Sequence, residues 1–295
     1  MQLATGLLVI LLGCTLSAHE LSELTEPRAL SPFDLAVIAA LVVSGVLYAL
    51  GSWRLAAAGA RRRRFEPIAF ALGWLALMVS VLPPLDALAI QLFSAHMAQH
   101  ELMMLVGAPL VMAGRPIPIW LVGLPVRWRQ RAASLLQQPS TMGTWRVLTM
   151  PVVAWTCHGL AIWLWHLPAA YDAAVRNEAV HMVQHASFVA TSILFWWGLL
   201  YGRYGRSGYG AAVLYVFTTA VHTGLLGAMV TFAGTPLYDV YLAPAAARGI
   251  DPLGDQQVAG LLMWVPAGFV FTALGIALFA AWIGEAERRG RVMTP

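Results

Sequence analysis

The sequence predicts an all-α protein: a polytopic membrane helix bundle with seven transmembrane helices behind an N-terminal signal or anchor. Three observations carry that prediction. Of 295 residues, 59% are hydrophobic and only 11% charged, with a mean hydropathy of +0.70. A water-soluble domain cannot hide so much apolar surface. The apolar residues fall into seven runs separated by Pro- and Arg-bearing segments. Finally, every basic residue except the histidines is arginine, and the arginines alternate from one connecting segment to the next.

Residues 1–18 form an apolar run too short to span a bilayer, which takes about 20 residues. They read as a signal peptide cleaved near Ala18, although no positive charge precedes the apolar stretch. A retained anchor is the second option. A lipoprotein is the third, because Leu11-Leu12-Gly13-Cys14 resembles a lipobox. In each case residues 19–32 form an extracytoplasmic leader. The two cysteines, Cys14 and Cys157, make no disulfide framework.

The membrane domain covers 33–284. Span 1 is Phe33–Trp53, followed by Arg61-Arg62-Arg63-Arg64, a stop-transfer cluster also suited to anionic lipid. Span 2, Ile68–Leu82, ends at Pro83-Pro84-Leu85-Asp86. Span 3 is Leu88–Met112. A Pro- and Arg-rich connector follows, in which Val126–Gln137 suits a helix lying at the interface. Span 4 is Val147–Trp165, span 5 Val180–Leu200 and span 6 Ala211–Phe232. A loop to Gln257 precedes span 7, Val258–Ile283, and a tail over 285–295. Fifteen of the eighteen arginines follow spans 1, 3, 5 and 7. Arginine-rich loops are cytoplasmic. The N-terminus is therefore expected outside and the tail in the cytoplasm. The arginines set topology and do not indicate nucleic-acid binding.

Candidate chemistry centres on a duplicated pentad. His96-Met97-Ala98-Gln99-His100 and His181-Met182-Val183-Gln184-His185 share the pattern H-M-x-Q-H at an offset of 85 residues, and Leu82-Pro83 aligns with Leu167-Pro168 at the same offset. Spans 2–3 and 4–5 thus read as parallel repeats, with both pentads in the outer half of the bilayer. On a helix, i and i+4 share a face, so each copy presents two imidazoles on one stripe. Ionisable side chains inside a membrane are costly and face interiors or wet cavities. Neutral imidazole ligates many metals, and thioether sulfur selects Cu(I). We therefore expect a Cu(I) site of His96, His100, His181 and His185, with Met97 and Met182 as softer contributors and Gln99 and Gln184 orienting imidazoles from behind. The plainer alternative is hydrogen bonding of these histidines between helices.

Further candidates carry less. Glu101 points about 100° from His100, and could accept a hydrogen bond from another span or pair with an arginine. His158 lies in span 4. His166 reads as an interface residue. His222, beside Thr218, Thr219 and Thr223, is either a ligand or bonded to a threonine hydroxyl. Asp255 reads as the N-cap of span 7. No H-E-x-x-H, G-x-S-x-G or Walker pattern supports an enzyme.

Ser94 through His100, continuing over Leu102-Met103-Met104 to Ala108-Pro109-Leu110, resembles the signature of the membrane-integral cytochrome c oxidase assembly factors called CtaG. The second pentad and Asp255-Gln256-Gln257 through Met263-Trp264-Val265-Pro266 fit the same family. The resemblance implies a seven-span protein of the bacterial plasma (inner) membrane with a non-enzymatic role in maturing haem-copper oxidase, and suggests copper delivery to it. The expected partners are oxidase subunits or another copper chaperone, within membrane lipid. Two alternatives remain: a haem-binding redox protein with one axial histidine from each pentad, and a copper transporter or structural scaffold. A transporter needs ligands continuing inward, and the inner part of span 5, with Phe195, Trp196 and Trp197, supplies few.

Overall fold

The computed structural model of the chain describes residues 31–61, 63–201 and 208–293, with side chains as far as Glu287. The expected signal, the leader up to residue 30, Cys14, Arg203 and Arg206 lie outside the described residues. Among the described residues the only regular structure is helical.

Helix α1 is Pro32–Ala57. Ser31 starts it with a capping box, its hydroxyl accepting from the Asp34 N–H and its own N–H donating to Asp34. Helix α2 is Phe65–Val81, and the short α3 is Leu85–Ala89. The chain breaks at Ile90–Leu92 and restarts as α4, Phe93–Glu101. A π-helical segment, Leu102–Gly107, continues it into α5, Ala108–Ala113. The expected span 3 is thus not one uniform helix beginning at Leu88.

After α5 the chain turns by 63° into α6, Pro116–Gly123. This apolar helix packs closely on α1 and was not foreseen as a helix in the connector. Helix α7, Val126–Leu136, buries no residue and falls where the sequence suggested a helix. Helices α8, Pro139–Leu148, and α9, Pro151–Trp165, meet at a 65° bend, where the sequence suggested one straight span from Val147. The cause is local. Proline disfavours a helical conformation in the residue before it, and Met150 is accordingly extended.

The remaining helices are α10, Pro168–Arg176; α11, Glu178–Tyr201; α12, Gly208–Thr231; α13, Leu242–Ala247; and α14, Pro252–Met293. A 3₁₀ turn, Asp239–Tyr241, precedes α13. By length and composition, four helices (α1, α11, α12 and α14) can cross a membrane, and six if each bent pair counts as one span. Their outward faces carry exposed large apolar side chains such as Val46, Phe217, Phe232 and Phe269. That surface suits lipid and not water, so the protein is a membrane protein.

Lipid is as apolar as leucine, so packing inside the bilayer relies on close backbone approach. Helices α12 and α14 make the most extensive contact in the bundle. A Cβ added to Gly227 would lie 2.7 Å from that of Trp264. Gly73 does the same for α2 against α5, where an added Cβ would meet Val111 N at 2.6 Å.

The start of α4 is held from across the bundle. Asp255, only 7% exposed, accepts from Phe93 N at 2.7 Å, from Ser94 N at 3.4 Å and from the Ser94 hydroxyl. Asp255 is therefore a cap, but of α4 and not of its own helix. Asp251 serves α14 instead, accepting from Gly254 N at 2.8 Å. Its neighbour Gln256 accepts from Leu237 N at 2.6 Å and ties the loop before α13 to α14. Replacing Asp255 with alanine orphans two N–H groups at a buried helix start, which costs about 2–3 kcal/mol. We expect Asp255→Ala to lower the thermal unfolding midpoint in detergent clearly, and Asp251→Ala, at an exposed cap, to lower it less.

Candidate metal centre

Helix α4 and the first turns of α11 bring the two pentads together. His96 and His100 lie one helical turn apart, with ring centroids 4.4 Å apart, and His181 and His185 are 4.0 Å apart. Between the pairs, His96 lies 5.1 Å from His181 and 5.8 Å from His185, and His100 lies 5.1 Å from His185. One ring nitrogen from each of His96, His181 and His185 falls within 4.8 Å of the others. A three-coordinate ion with metal–nitrogen bonds of about 2.0 Å sets its nitrogens roughly 3.5 Å apart. The imidazoles therefore reach a shared ion by small side-chain rotations.

Burial and the fate of the ring nitrogens test the fit further. His96 and His100 are almost wholly buried. Nε2 of His96, both ring nitrogens of His100 and Nε2 of His185 have no hydrogen-bond partner. A buried polar atom without a partner costs about 1–3 kcal/mol, and a metal ion satisfies several at once. The residues present fit a metal. The centre is walled by Phe188, 4.7 Å from His100, and Tyr171, 5.2 Å from His96. A cavity of about 410 Å³ between α1, α2 and α11 reaches His181, Met182 and His185.

Tyr241 orients the centre from outside the pentads. Its hydroxyl lies 2.6 Å from Nδ1 of His96 and 3.1 Å from the Ala89 carbonyl. Burial raises the Tyr241 phenol above its ordinary range, so it keeps its proton. With that proton directed to Ala89 O, the phenol oxygen is free to accept from His96 Nδ1–H, the tautomer that leaves the lone pair on Nε2. An imidazole whose other nitrogen is fixed in this way is a prepared ligand. Phe93, Tyr171, Tyr238 and Tyr241 form one aromatic group behind it. Nothing local in the sequence marks Tyr241, because it lies in a loop 145 residues from His96.

The other candidates divide. Met182 lines the cavity beside the imidazoles, whereas Met97 is buried in the apolar cluster with Phe93, Ile162 and Met263. Gln99 does not orient an imidazole: its amide donates to Ser80 O at 2.5 Å and Asp86 at 3.1 Å, tying α4 to the turn after α2. Gln184 is fully buried with neither amide atom paired. Glu101 pairs with no arginine among the described residues. His166 is buried, not interfacial, and donates from Nδ1 to Ile162 O at 2.7 Å, closing α9. His158 donates to Thr191 at 3.2 Å. His222 accepts from Trp163 at 3.4 Å, and the hydroxyls of Thr218, Thr219 and Thr223 all bond within their own helix. The expected threonine partner of His222 is therefore replaced by tryptophan.

Fold and site together define an all-helical membrane protein with a buried imidazole centre suited to a metal ion. The family model described as cytochrome c oxidase caa3 assembly factor (Caa3_CtaG) matches residues 46–285, and the chain belongs to that family. Among curated proteins it is similar to an uncharacterized protein of Mycobacterium bovis and one of Mycobacterium tuberculosis. Each is 24% identical over 270 residues, which is 87% of this chain and 40% of the relative. The chain thus spans two fifths of the length of these relatives. No solved structure matches.

If Tyr241 prepares His96, Tyr241→Phe should weaken metal binding at the centre by roughly tenfold, read by competition with a chromophoric chelator. The unfolding midpoint without metal should fall only slightly, by the worth of a hydrogen bond, about 1 kcal/mol. A metal-free midpoint that collapses while the affinity holds would assign Tyr241 to folding alone.

Proposed function

We propose that the protein is a non-enzymatic assembly factor that binds Cu(I) in the outer half of the membrane and assists its delivery to a haem-copper cytochrome c oxidase. The observation that carries this reading is the meeting of two imidazole pairs with unpartnered buried nitrogens. Family membership supplies the oxidase; the donor set supplies the metal. Neutral nitrogens with a thioether at the cavity edge suit a monovalent soft ion, and among the described residues no carboxylate joins the three-histidine group. Two histidines are buried and two are half-buried beside the cavity. Such a centre holds an ion yet leaves an edge for a partner's ligands.

In this reading α2, an apolar helix of 17 residues, joins the four long helices and two bent pairs to give seven spans. Each pentad follows a proline, a short helix and a break, as parallel repeats require. The arginine distribution puts the N-terminal side outside the bacterial plasma membrane and the C-terminus in the cytoplasm. The partners are oxidase subunits or another copper chaperone. Room argues for a bare ion over haem. Rings from opposite pairs meet edge to face at 85° to 88° and 5.1–5.8 Å, which leaves no plane for a macrocycle between them.

The test begins with purified chain in detergent under reducing conditions, assayed for copper and iron. We expect about one Cu(I) per chain after loading, no iron and no visible absorption band. Replacing His96, His100, His181 and His185 together with asparagine should abolish that binding; undiminished copper in this variant sinks the proposal. In cells, loss of the chain should lower the copper content of the oxidase, and the wild-type chain, not the variant, should restore it.

A further inference from the structure

At the far end of the bundle lies a second cavity, of about 670 Å³, which the metal centre does not use. Its rim carries Arg61, Arg63 and Arg115 with a single carboxylate, Glu66, and its floor is Leu55, Ile117, Ile119 and Trp197. Helix runs from Phe93 to Ala113, so the nineteen residues from His96 to Arg115 cover roughly 25–30 Å. That matches the hydrocarbon thickness of a bilayer, about 30 Å. A cavity this far from an outer-half centre lies at the headgroup level of the opposite leaflet.

We propose that this cavity binds the phosphate of an anionic phospholipid, with Arg61, Arg63 and Arg115 around the headgroup and the apolar floor under the acyl chains. Three guanidiniums face one carboxylate, so the cavity keeps a positive excess. The Arg115–Glu66 pair is long, at 3.9 Å, and Arg115 stays 59% exposed while Glu66 is 9% exposed. Arginine has five N–H donors in a fork that matches phosphate oxygens, and a single carboxylate cannot occupy the donors of three guanidiniums. Inorganic phosphate needs no apolar floor, whereas a lipid does.

Backbone geometry at Arg115 supports the assignment. Arg115 is the only non-glycine residue with positive φ among the described residues, at φ 53 and ψ 55. In this left-handed region a Cβ crowds the following carbonyl, and glycine sits there freely. The chain places arginine there instead, immediately after Gly114. The guanidinium is held over the Tyr201 ring, 5.6 Å from its centroid, and Tyr201 is itself anchored by donation to Met112 O at 2.6 Å. A strained residue kept for its side chain marks a functional position.

The test uses the full chain in detergent, with phosphatidylglycerol, phosphatidylcholine or inorganic phosphate added in turn, read by thermal unfolding. Phosphatidylglycerol should raise the midpoint by about 5 °C, and the other two should not. Arg61→Gln/Arg63→Gln/Arg115→Gln should abolish that rise. Arg115→Gly, which relieves the backbone, should melt no lower than wild type without lipid and yet lose at least half of the rise. Equal rises with both lipids, an equal rise with phosphate alone, or a full rise in the triple variant would each overturn the proposal.

Discussion

Inside a bilayer each polar atom must find its partner within the protein, and the histidine centre is where this chain departs from that rule. Most buried polar groups nearby are paired. Asp255 takes up the open N–H groups at the start of α4, Tyr241 holds one face of His96, and Gln99 closes the turn after α2. Nitrogens left over on His96, His100 and His185 cluster where the two pentads meet. The scaffold thus supplies rigidity around a small set of unsatisfied donors, and that residue of unsatisfied bonding is what a metal ion can repay.

The bundle divides into two packed regions. One, built on Phe93, Tyr171, Phe188, Tyr238 and Tyr241, encloses the centre. The other, built on Tyr48, Phe70, Phe195, Trp196 and Phe271, fills the half toward Arg115. Helix α1 contributes little to either, burying only Tyr48 and Gly51. It leans on α6 and leaves the cavity beside His181 open along its flank. The side of the centre that faces this cavity is the side that carries the half-buried pair.

Much of this was legible in the sequence, for a physical reason. The period of a helix is fixed, so H-M-x-Q-H announces two imidazoles on one face before any fold is known, and its duplication announces a meeting. Direction was not legible. Hydropathy reports composition, so Val147–Trp165 looked like one span although Pro151 turns the chain by 65°. The same blindness hid α6 in a connector. Long-range partners were also hidden. Asp255 was read as the N-cap of span 7, yet the helix it caps begins 162 residues away at Phe93. Tyr241 carried no local signal, and the threonines around His222 misled because a hydroxyl on a helix can satisfy itself from the preceding turn.

The π-helical segment after His100 has a bearing on how relatives can be compared. A π turn accommodates one extra residue in an otherwise α-helical element. Removing one residue from Leu102–Gly107 would let the helix relax to ordinary winding while α5 stayed anchored by Val111 and Met112 in the core. The first pentad would keep its face, because the wide turn already absorbs the roughly 100° that one residue subtends. Removing a further residue, with no wide turn left to absorb it, would swing the imidazoles about 100° toward another helix or the lipid, with hydropathy and the pentad itself unchanged. A homologue can therefore keep H-M-x-Q-H intact and lose the centre, and length together with winding between the pentad and Pro109 is a better guide to a shared chemistry than the histidines alone.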